Sequence, residues 1–387
     1  MNSIPLSVYI HFPWCIQKCP YCDFNSHEVK GDLPEKRYID ALIRDLEMEL
    51  PTIWGRRLES VFIGGGTPSL ISAEGMERLL TALRQLLPMR PEMEITLEAN
   101  PSTFEQERFK HYRDIGINRL SIGIQSFQQT HLQALGRVHN DHEALIAAQI
   151  AKQAGFDNFN LDLMFGLPQQ TSQQAMDDLQ QAIDCNPTHL SWYQLTIEPN
   201  TFFHHSPPVL PKDDLIADMQ DQGIEKLQRS GFEQYEVSAY AQKGKQCKHN
   251  RNYWEFGDYV AIGAGAHGKI TQLHHSSKNN FQIERYFKYK QPQRYMEACE
   301  QGQARQKSNQ LSSQDLSFEF MLNALRLKQG IDIQVFKQRT GLPVQMLDIP
   351  IQQAIEKGLL VDSKNYVQTT SLGWRFLNDV TPLFLNE

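Results

Sequence analysis

Short apolar runs alternate with amphipathic stretches along the first 240 residues of the chain. The apolar runs are rich in Val, Ile, Leu and Phe, which is typical of strands that are buried on both faces of a parallel sheet. The predicted strands are Ser7–Phe12, Ser60–Ile63, Glu94–Glu98, Arg119–Gln125, Asn160–Met164, Ser191–Ile197 and Tyr235–Tyr240. The stretches between them have helical spacing. The predicted helices include Glu35–Leu50, Ala73–Leu87, Glu143–Ala154 and Leu215–Arg229.

Two further helix starts are marked by the spacing of a capping box, in which the side chains three residues apart cap each other's backbone N–H groups. These pairs are Thr103 with Gln106 and Thr171 with Gln174. The strand–helix unit recurs about six times, which predicts either a doubly wound sheet or an open β/α barrel.

Polar side chains at the strands favour the barrel. Glu98, Gln125 and Glu198 stand at strand ends, and Asp162 lies inside a strand. The carboxyl ends of the strands form the active-site face of β/α barrels, and an unpaired polar group buried elsewhere would cost several kcal/mol. We therefore predict an α/β fold built on a partial (β/α)6 barrel.

The hydrophobic pattern changes after this barrel. Residues 271–310 are polar and predict a linker with one local helix near Gln293–Cys299. Residues 311–387 predict three helices, a hairpin over Leu359–Thr370 and a helix from Leu372, which is a winged-helix-like order. The expected domains are thus 1–270, 271–310 and 311–387. The last has seven Lys/Arg against eight Asp/Glu, so we expect it to serve as a packing or lid unit rather than to bind DNA.

Composition narrows the class of protein. The 387 residues are 40% hydrophobic and 21% charged, as in soluble globular proteins. No apolar run approaches the ~20 residues of a membrane span, and the N-terminus does not resemble a signal peptide, so we expect a cytoplasmic protein. The net charge of -7 argues against a nucleic-acid partner.

The most informative chemical feature is a cysteine motif directly after the first predicted strand. Cys15, Cys19 and Cys22 have the spacing C-x3-C-x2-C. Closed structural metal sites usually take four protein ligands, so three thiolates leave one metal position open. An iron–sulfur cluster is favoured on this ground, and a zinc site with His11 or His27 as fourth ligand is the alternative. The other cysteines, Cys185, Cys247 and Cys299, are scattered singly and predict packed or surface positions.

A glycine run follows the second predicted strand. Gly64, Gly65 and Gly66 precede Thr67, and such a run lets a ligand approach the backbone closely. By itself it fits a plain tight turn equally well, since the Lys-Ser/Thr pair of a phosphate loop is missing.

The cysteine motif, the glycine-rich strand end and the later order of Glu, Gln, Arg and Asp together resemble the radical S-adenosylmethionine (radical SAM) family. The resemblance covers nearly the whole chain. Within the family, it points to the coproporphyrinogen dehydrogenase-like branch. The block Tyr9-Ile-His-Phe-Pro-Trp-Cys15, continued as Cys19-Pro-Tyr-Cys22-Asp-Phe24, is most similar to the heme chaperones of the HemW type.

This resemblance implies a set of cofactor residues. The three motif cysteines would hold three irons of a [4Fe–4S] cluster, and the fourth iron would bind SAM through its amino and carboxylate groups. The residues expected around SAM are Tyr9, Gly65, Gly66, Thr67, Glu98, Gln125, Arg137 and Asp162. Arg137 would pair with a carboxylate by charge-assisted hydrogen bonds.

Two features separate the activities within this branch. The coproporphyrinogen enzymes carry a fourth cysteine two residues after the third and a longer N-terminal segment. In this chain, Phe24 stands at the position of that fourth cysteine, and the first predicted strand already begins at Ser7. Both departures favour a heme chaperone over oxidative decarboxylation of coproporphyrinogen III, which is the alternative.

A second block supports heme binding. His249-Asn-Arg-Asn-Tyr-Trp254 resembles the H-N-x-x-Y-W motif of HemW-type proteins, and histidine is a common axial ligand of heme iron. His249 is therefore a candidate heme ligand and His267 a weaker one. The implied partners are heme, an unidentified heme-acceptor protein and, if SAM is cleaved, an electron donor. A homodimer and a peripheral membrane contact are left open.

Overall fold

The computed structural model describes residues 4–101, 103–273 and 281–385. Its strands are β1 Leu6–Phe12, β2 Trp14–Cys15, β3 His27–Glu28, β4 Leu58–Gly65, β5 Glu94–Ala99, β6 Arg119–Gln125, β7 Phe159–Phe165, β8 His189–Gln194, β9 Glu233–Glu236, β10 Ala239–Ala241, β11 Asp258–Ile262, β12 His267–Leu273, β13 Phe281–Lys288, β14 Arg305–Gln310, β15 Ile331–Asp332 and β16 Tyr366–Val367.

Helices alternate with the strands of the main sheet and form most of the C-terminal unit. They are α1 Glu35–Ile53, α2 Ala73–Leu86, α3 Thr103–Asp114, α4 Gln129–Ala134, α5 Asp141–Gln153, α6 Ser172–Asp184, α7 Phe202–His205, α8 Asp213–Arg229, α9 Lys248–Trp254, α10 Pro292–Glu300, α11 Ser313–Ala324, α12 Gln334–Thr340, α13 Asp348–Glu356, α14 Ser371–Arg375 and α15 Leu377–Val380. None of the described helices is both long enough and apolar enough to cross a membrane.

The main sheet has the order β14-β13-β12-β11-β1-β4-β5-β6-β7-β8-β10-β9. Strands β1, β4, β5, β6, β7 and β8 are parallel neighbours in chain order, so they form six successive strand–helix units. In the described residues, the edge strands β14 and β9 do not pair with each other, so the barrel is open. The predicted partial (β/α)6 barrel is confirmed.

Most predicted elements coincide with observed ones, because both the apolar runs and the helix caps are local signals. The capping box at Thr171 and Gln174 is present. The side chains of Thr103 and Gln106 lie outside the described residues. One predicted strand, Tyr235–Tyr240, is instead the antiparallel hairpin β9–β10. It turns at Ser238, whose backbone N–H donates to the Glu236 carboxylate at 3.1 Å.

The prediction of a linker over 271–310 is wrong for the described residues. Strands β13 and β14 extend the main sheet through antiparallel pairing with β12 and with each other. These strands lack a strand-like apolar pattern in the sequence. The reason is that β14 is an exposed edge strand and that β13 buries only three of its eight side chains. The predicted local helix is present as α10.

A buried charge cluster ties this segment to the barrel. The Lys288 ammonium, at the end of β13, donates to Asp45 and to Glu49 on α1, the latter at 2.7 Å. Arg305 on β14 donates to Glu49 at 2.9 Å, and the Tyr295 hydroxyl donates to Asp45 at 2.7 Å. Burial raises the pKa of Asp45, and Lys288 opposes that rise. Both carboxylates therefore depend on cations supplied by residues 288–305.

The C-terminal unit matches the predicted helical, winged-helix-like order, and its apolar core also includes Phe256 and Ile283 from the preceding chain. After helices α11 to α13, the chain turns back on itself where Leu360 bridges to Thr369. The unit contacts the barrel through Arg326, which donates to Glu236 at 3.0 Å and lies 4.3 Å from the centre of the Trp254 ring.

We predict that Lys288→Met destabilises the protein by about 3–5 kcal/mol, because it leaves a buried carboxylate without its cation. The free energy of unfolding in urea measures this loss. Arg37→Ala is the control, since it breaks an ion pair whose side chains are each 40% exposed, and it should leave the free energy of unfolding nearly unchanged. Equal effects of the two substitutions would contradict an integral role for residues 281–310.

Candidate functional site

The three motif cysteines lie together at the carboxyl end of the barrel strands. Cys15, Cys19 and Cys22 are half-buried, unbridged, and line one cavity of about 460 Å³. The loop between them is short and turns back where the Cys22 N–H donates to the Cys19 carbonyl at 3.1 Å. Parallel pairing of β2 with β3 closes its base. The sequence prediction that these thiols share a site agrees with this geometry.

Asn25 anchors the loop to the chain segments that follow β11, the sheet neighbour of β1, and β13. The Asn25 side-chain amide donates to the carbonyls of Ala264 and Lys290, both at 2.9 Å. The Asn25 backbone carbonyl oxygen lies 2.9 Å from His11 Nε2. The other ring nitrogen, His11 Nδ1, lies 2.7 Å from the Tyr9 hydroxyl. Both His11 nitrogens are therefore engaged, which removes His11 as the fourth ligand of a zinc site.

Two residues singled out by sequence lie outside the cavity lining. Tyr9 is directed into the barrel, where its ring lies 5.6 Å from the Phe62 ring. Burial raises the pKa of the Tyr9 hydroxyl. His27, the second candidate for a zinc ligand, pairs through β3 and also does not line the cavity. Tyr9 does not line the cavity, and its contact with the cofactor stays a prediction.

The glycine run at the end of β4 packs against the chain that follows β1. A Cβ atom on Gly66 would lie 2.5 Å from the Trp14 carbonyl oxygen, and one on Gly65 would lie 2.8 Å from the Phe12 carbonyl oxygen. Gly65 also has a φ of +118°, a conformation that favours glycine. Gly66 N–H donates to the Phe12 carbonyl at 2.6 Å. The glycines thus serve close contact between two backbone segments, and the cavity forms beside them.

Polar side chains from four neighbouring strands and loops face the cavity, as the strand-end pattern predicted. They are Glu98, Gln125, Asp162 and Glu198. Glu98 accepts a hydrogen bond from the Gly65 N–H at 2.9 Å. Burial raises the pKa of Glu98 to about 8, and the charge of Asp162 adds to the rise. Asp162 accepts a hydrogen bond from Ser121 at 3.1 Å.

Gln125 and Arg137 have hydrogen-bonding capacity to spare. Gln125 has a left-handed φ of +63°, and its buried Oε1 atom has no partner among the described residues. Arg137 donates to Asn100 at 2.8 Å and to the Gly123 carbonyl at 2.9 Å, and its Nη1 atom lies 3.5 Å from Cys19 Sγ. Strained, partly unsatisfied polar groups are concentrated at ligand sites. The predicted residues Gln125 and Arg137 therefore both belong to this cavity.

Sequence reasoning missed several polar residues of the cavity wall, which are Asn100, Ser121, Ser191 and Tyr193. Asn100 bridges Arg137 and Thr67, since its side-chain amide also donates to Thr67 Oγ1 at 3.2 Å. Its place directly after β5, two residues beyond Glu98, was a usable signal. The serines gave none, because one hydroxyl within a strand is common in any sheet.

The donor set fits a cluster and a small polar cofactor. Cys15, Cys19 and Cys22 all line the cavity, and three thiolates would leave one iron of a four-iron cluster for a small molecule. The cavity volume lies within the range of about 300–1,000 Å³ that is typical of small-molecule sites. Carboxyl, amide and guanidinium groups around it match the amino, hydroxyl and carboxylate groups of SAM.

His249 lies away from this cavity, among buried groups near the start of β5. Its Nδ1 atom is 3.0 Å from Cys247 Sγ and 3.3 Å from a Glu94 oxygen, and its ring stacks on Phe62 at 4.1 Å. Burial opposes the ionisation of Glu94, but the His249 hydrogen bond and the Arg119 charge lower its pKa to about 2. His249 is thus fully engaged in the protein interior, which does not suit the predicted role of heme ligand.

The other sequence candidates are exposed. His267 stacks on Phe287 with ring centres 5.4 Å apart, outside the cavity lining. Phe24, which stands where the coproporphyrinogen enzymes carry a cysteine, is 56% exposed and lines the cavity mouth. Two more apolar residues of the mouth, Ile16 and Val138, are also exposed.

Comparison with known proteins agrees with this site. Residues 9–182 match the family model of the radical SAM superfamily, and residues 311–376 match that of the HemN C-terminal domain. The heme chaperone HemW of Haemophilus influenzae is 49% identical over 387 residues, covering 99% of this chain and 98% of the relative. The heme chaperone HemW of Escherichia coli is 47% identical over 383 residues and covers 99% of each chain.

Among solved structures, coproporphyrinogen III oxidase (HemN) from Escherichia coli, a radical SAM enzyme, superposes with a TM-score of 0.82 at 23% identity. The match covers 99% of this chain and 90% of that enzyme, and it supports the fold. Taken with the full-length relatives, these matches confirm the resemblance drawn from the cysteine motif. This chain belongs to the radical SAM superfamily and, within it, to the HemW family.

Proposed function

We propose that this protein is a heme chaperone, which binds heme next to a SAM-ligated [4Fe–4S] cluster and passes it to an acceptor protein. The observation that carries the proposal is Phe24. At the position where the coproporphyrinogen enzymes carry a cysteine, this chain places an exposed aromatic side chain at the mouth of the cluster cavity. An apolar rim suits contact with a porphyrin face. The full-length relatives named as heme chaperones support the same role.

In this proposal, the cysteines hold the cluster and the cavity wall holds SAM. Such a cluster supplies an open iron for SAM and an electron when a donor reduces it. Cys15, Cys19 and Cys22 are already grouped at one cavity, so binding does not require the barrel to rearrange. Asn25 keeps the loop in place by donating hydrogen bonds to the carbonyls of Ala264 and Lys290.

Arg137 and Glu98 have distinct tasks in the cavity wall. Arg137 would pair with the SAM carboxylate, because its guanidinium is fixed by Asn100 and the Gly123 carbonyl and keeps its Nε atom unpartnered. Glu98 would accept hydrogen bonds from amino or ribose hydroxyl groups. Burial raises the pKa of Glu98 to about 8, and a cationic group bound beside it would favour the charged carboxylate.

The partners follow from the role. A chaperone needs heme and an acceptor protein, and an electron donor is required only if SAM is cleaved. A homodimer and a peripheral membrane contact stay predictions.

Oxidative decarboxylation of coproporphyrinogen III is the second candidate, since the fold is shared with HemN. The discriminating experiment uses one sample of protein reconstituted anaerobically with iron and sulfide. We expect saturable heme binding at micromolar concentrations, and no protoporphyrinogen IX from coproporphyrinogen III in the presence of SAM and reductant. Turnover of coproporphyrinogen III, or failure to bind heme, would overturn the chaperone function.

We predict that serine at Cys15, Cys19 or Cys22 abolishes cluster binding. Reconstituted wild-type protein should carry about four irons per chain, and each variant close to none, because two thiolates cannot hold the cluster. Chemical analysis of iron and sulfide, together with the visible absorbance of the cluster, measures how much cluster each variant binds. Cys185→Ser is the matched control and should keep its iron. Zinc instead of iron in the wild type would contradict the assignment.

We predict that Arg137→Met weakens SAM binding by about tenfold or more, since a desolvated charge-assisted pair is lost. Equilibrium dialysis of SAM against the cluster-loaded variant measures the change. Arg113, on α3 and away from the cavity lining, provides the control Arg113→Met. An unchanged SAM affinity with an intact cluster would show that Arg137 is structural.

A further inference from the structure

A short helical turn beside the cluster loop combines exposed imidazole and aromatic groups. Helix α7 carries the sequence Phe202-Phe203-His204-His205. Phe202 is 65% exposed, and both histidines are exposed. Phe203 is buried and packs in a small apolar cluster. The turn therefore fixes itself to the barrel through one aromatic ring and presents the other to solvent.

The turn is attached directly to the cysteine loop. The Phe203 N–H donates to the Pro20 carbonyl at 3.0 Å, and the Phe203 and Tyr21 ring centres are 6.5 Å apart. Pro20 lies between Cys19 and Cys22, so this turn borders the loop that carries the thiols. The Thr201 hydroxyl caps the turn by accepting from the His204 N–H at 3.2 Å.

We propose that this turn is a heme-binding site, with His205 as an axial ligand of the iron and Phe202 against the porphyrin face; the inference rests on the proposed chaperone function. Residues three apart lie on the same face of a helical turn, which places Phe202 and His205 on one face. The His204 ring meets the His205 ring edge-on, with ring centres 5.8 Å apart. An imidazole nitrogen can ligate the heme iron, and an exposed aromatic ring on the same face can pack against the apolar plane of the porphyrin.

Other histidines fit less well. Among the described residues, His11, His131, His139, His189 and His249 are buried, and His27 and His111 are half-buried. Of the exposed ones, His267 is stacked on Phe287. His142 lies on α5, where the exposed neighbour at the same face is the aliphatic Leu145. Only α7, within the part of the chain that the structure describes, pairs an exposed histidine with an exposed phenylalanine next to the cysteine loop.

Heme titration of cluster-loaded, full-length protein tests the site. We expect His205→Ala to weaken heme binding by roughly tenfold or more and to shift the Soret band of the bound heme, because the iron loses an axial nitrogen. Phe202→Ala should weaken binding with the Soret position unchanged, since it removes a face contact and no ligand. His142→Ala is the matched control and should bind as the wild type does. All these positions are exposed, so the iron content of each variant should equal that of the wild type.

The outcomes separate this inference from the function on which it rests. Wild-type protein that binds no heme would overturn both. Wild-type binding that survives unchanged in His205→Ala, or that is lost in His142→Ala instead, would overturn the assignment of His205 and leave the chaperone function standing.

Discussion

The close contact between the ends of β1 and β4 is the constraint on which the site depends. Gly65 and Gly66 bring the β4 backbone within hydrogen-bonding distance of Phe12 and Trp14, where side chains larger than hydrogen would collide. That contact fixes the point at which the chain leaves β1, and so the start of the cysteine loop. Glu98 then bonds to the same turn through the Gly65 N–H. Cluster loop, glycine turn and cavity wall are thus one connected unit.

Much of this arrangement could be predicted from the sequence because its signals are local. Buried parallel strands appear as continuous apolar runs, and a polar residue ending such a run marks the face where the strands' carboxyl ends meet. Glu98, Gln125 and Asp162 were found in this way, and the structure brings them to one cavity. The cysteine spacing predicted the metal ligands. Arg137 lies in a loop without any periodic signal, and only the family resemblance pointed to it.

The features that could not be predicted from the sequence depend on contacts between residues far apart along the chain. Strands β13 and β14 are polar because they extend an exposed sheet edge, and the buried Lys288 reads as a surface charge until Asp45 and Glu49 surround it. His249 looked available beside two aromatic residues, yet Glu94, distant in sequence, holds it in the interior. Heme contact is therefore better sought at the exposed rim around the cluster loop than at the buried motif. The same rim is where a partner could reach bound heme.

Transfer of heme is the central claim, and one measurement tests it most directly. Protein loaded with both cluster and heme would be mixed anaerobically with membranes that contain a heme-free b-type cytochrome. The absorbance spectra of the donor protein and of the cytochrome, both in the reduced state, would then be recorded over time. The account predicts that the cytochrome spectrum rises as the donor's heme band falls, and that no porphyrin product forms. Heme that stays on the donor while the cytochrome remains empty would contradict it.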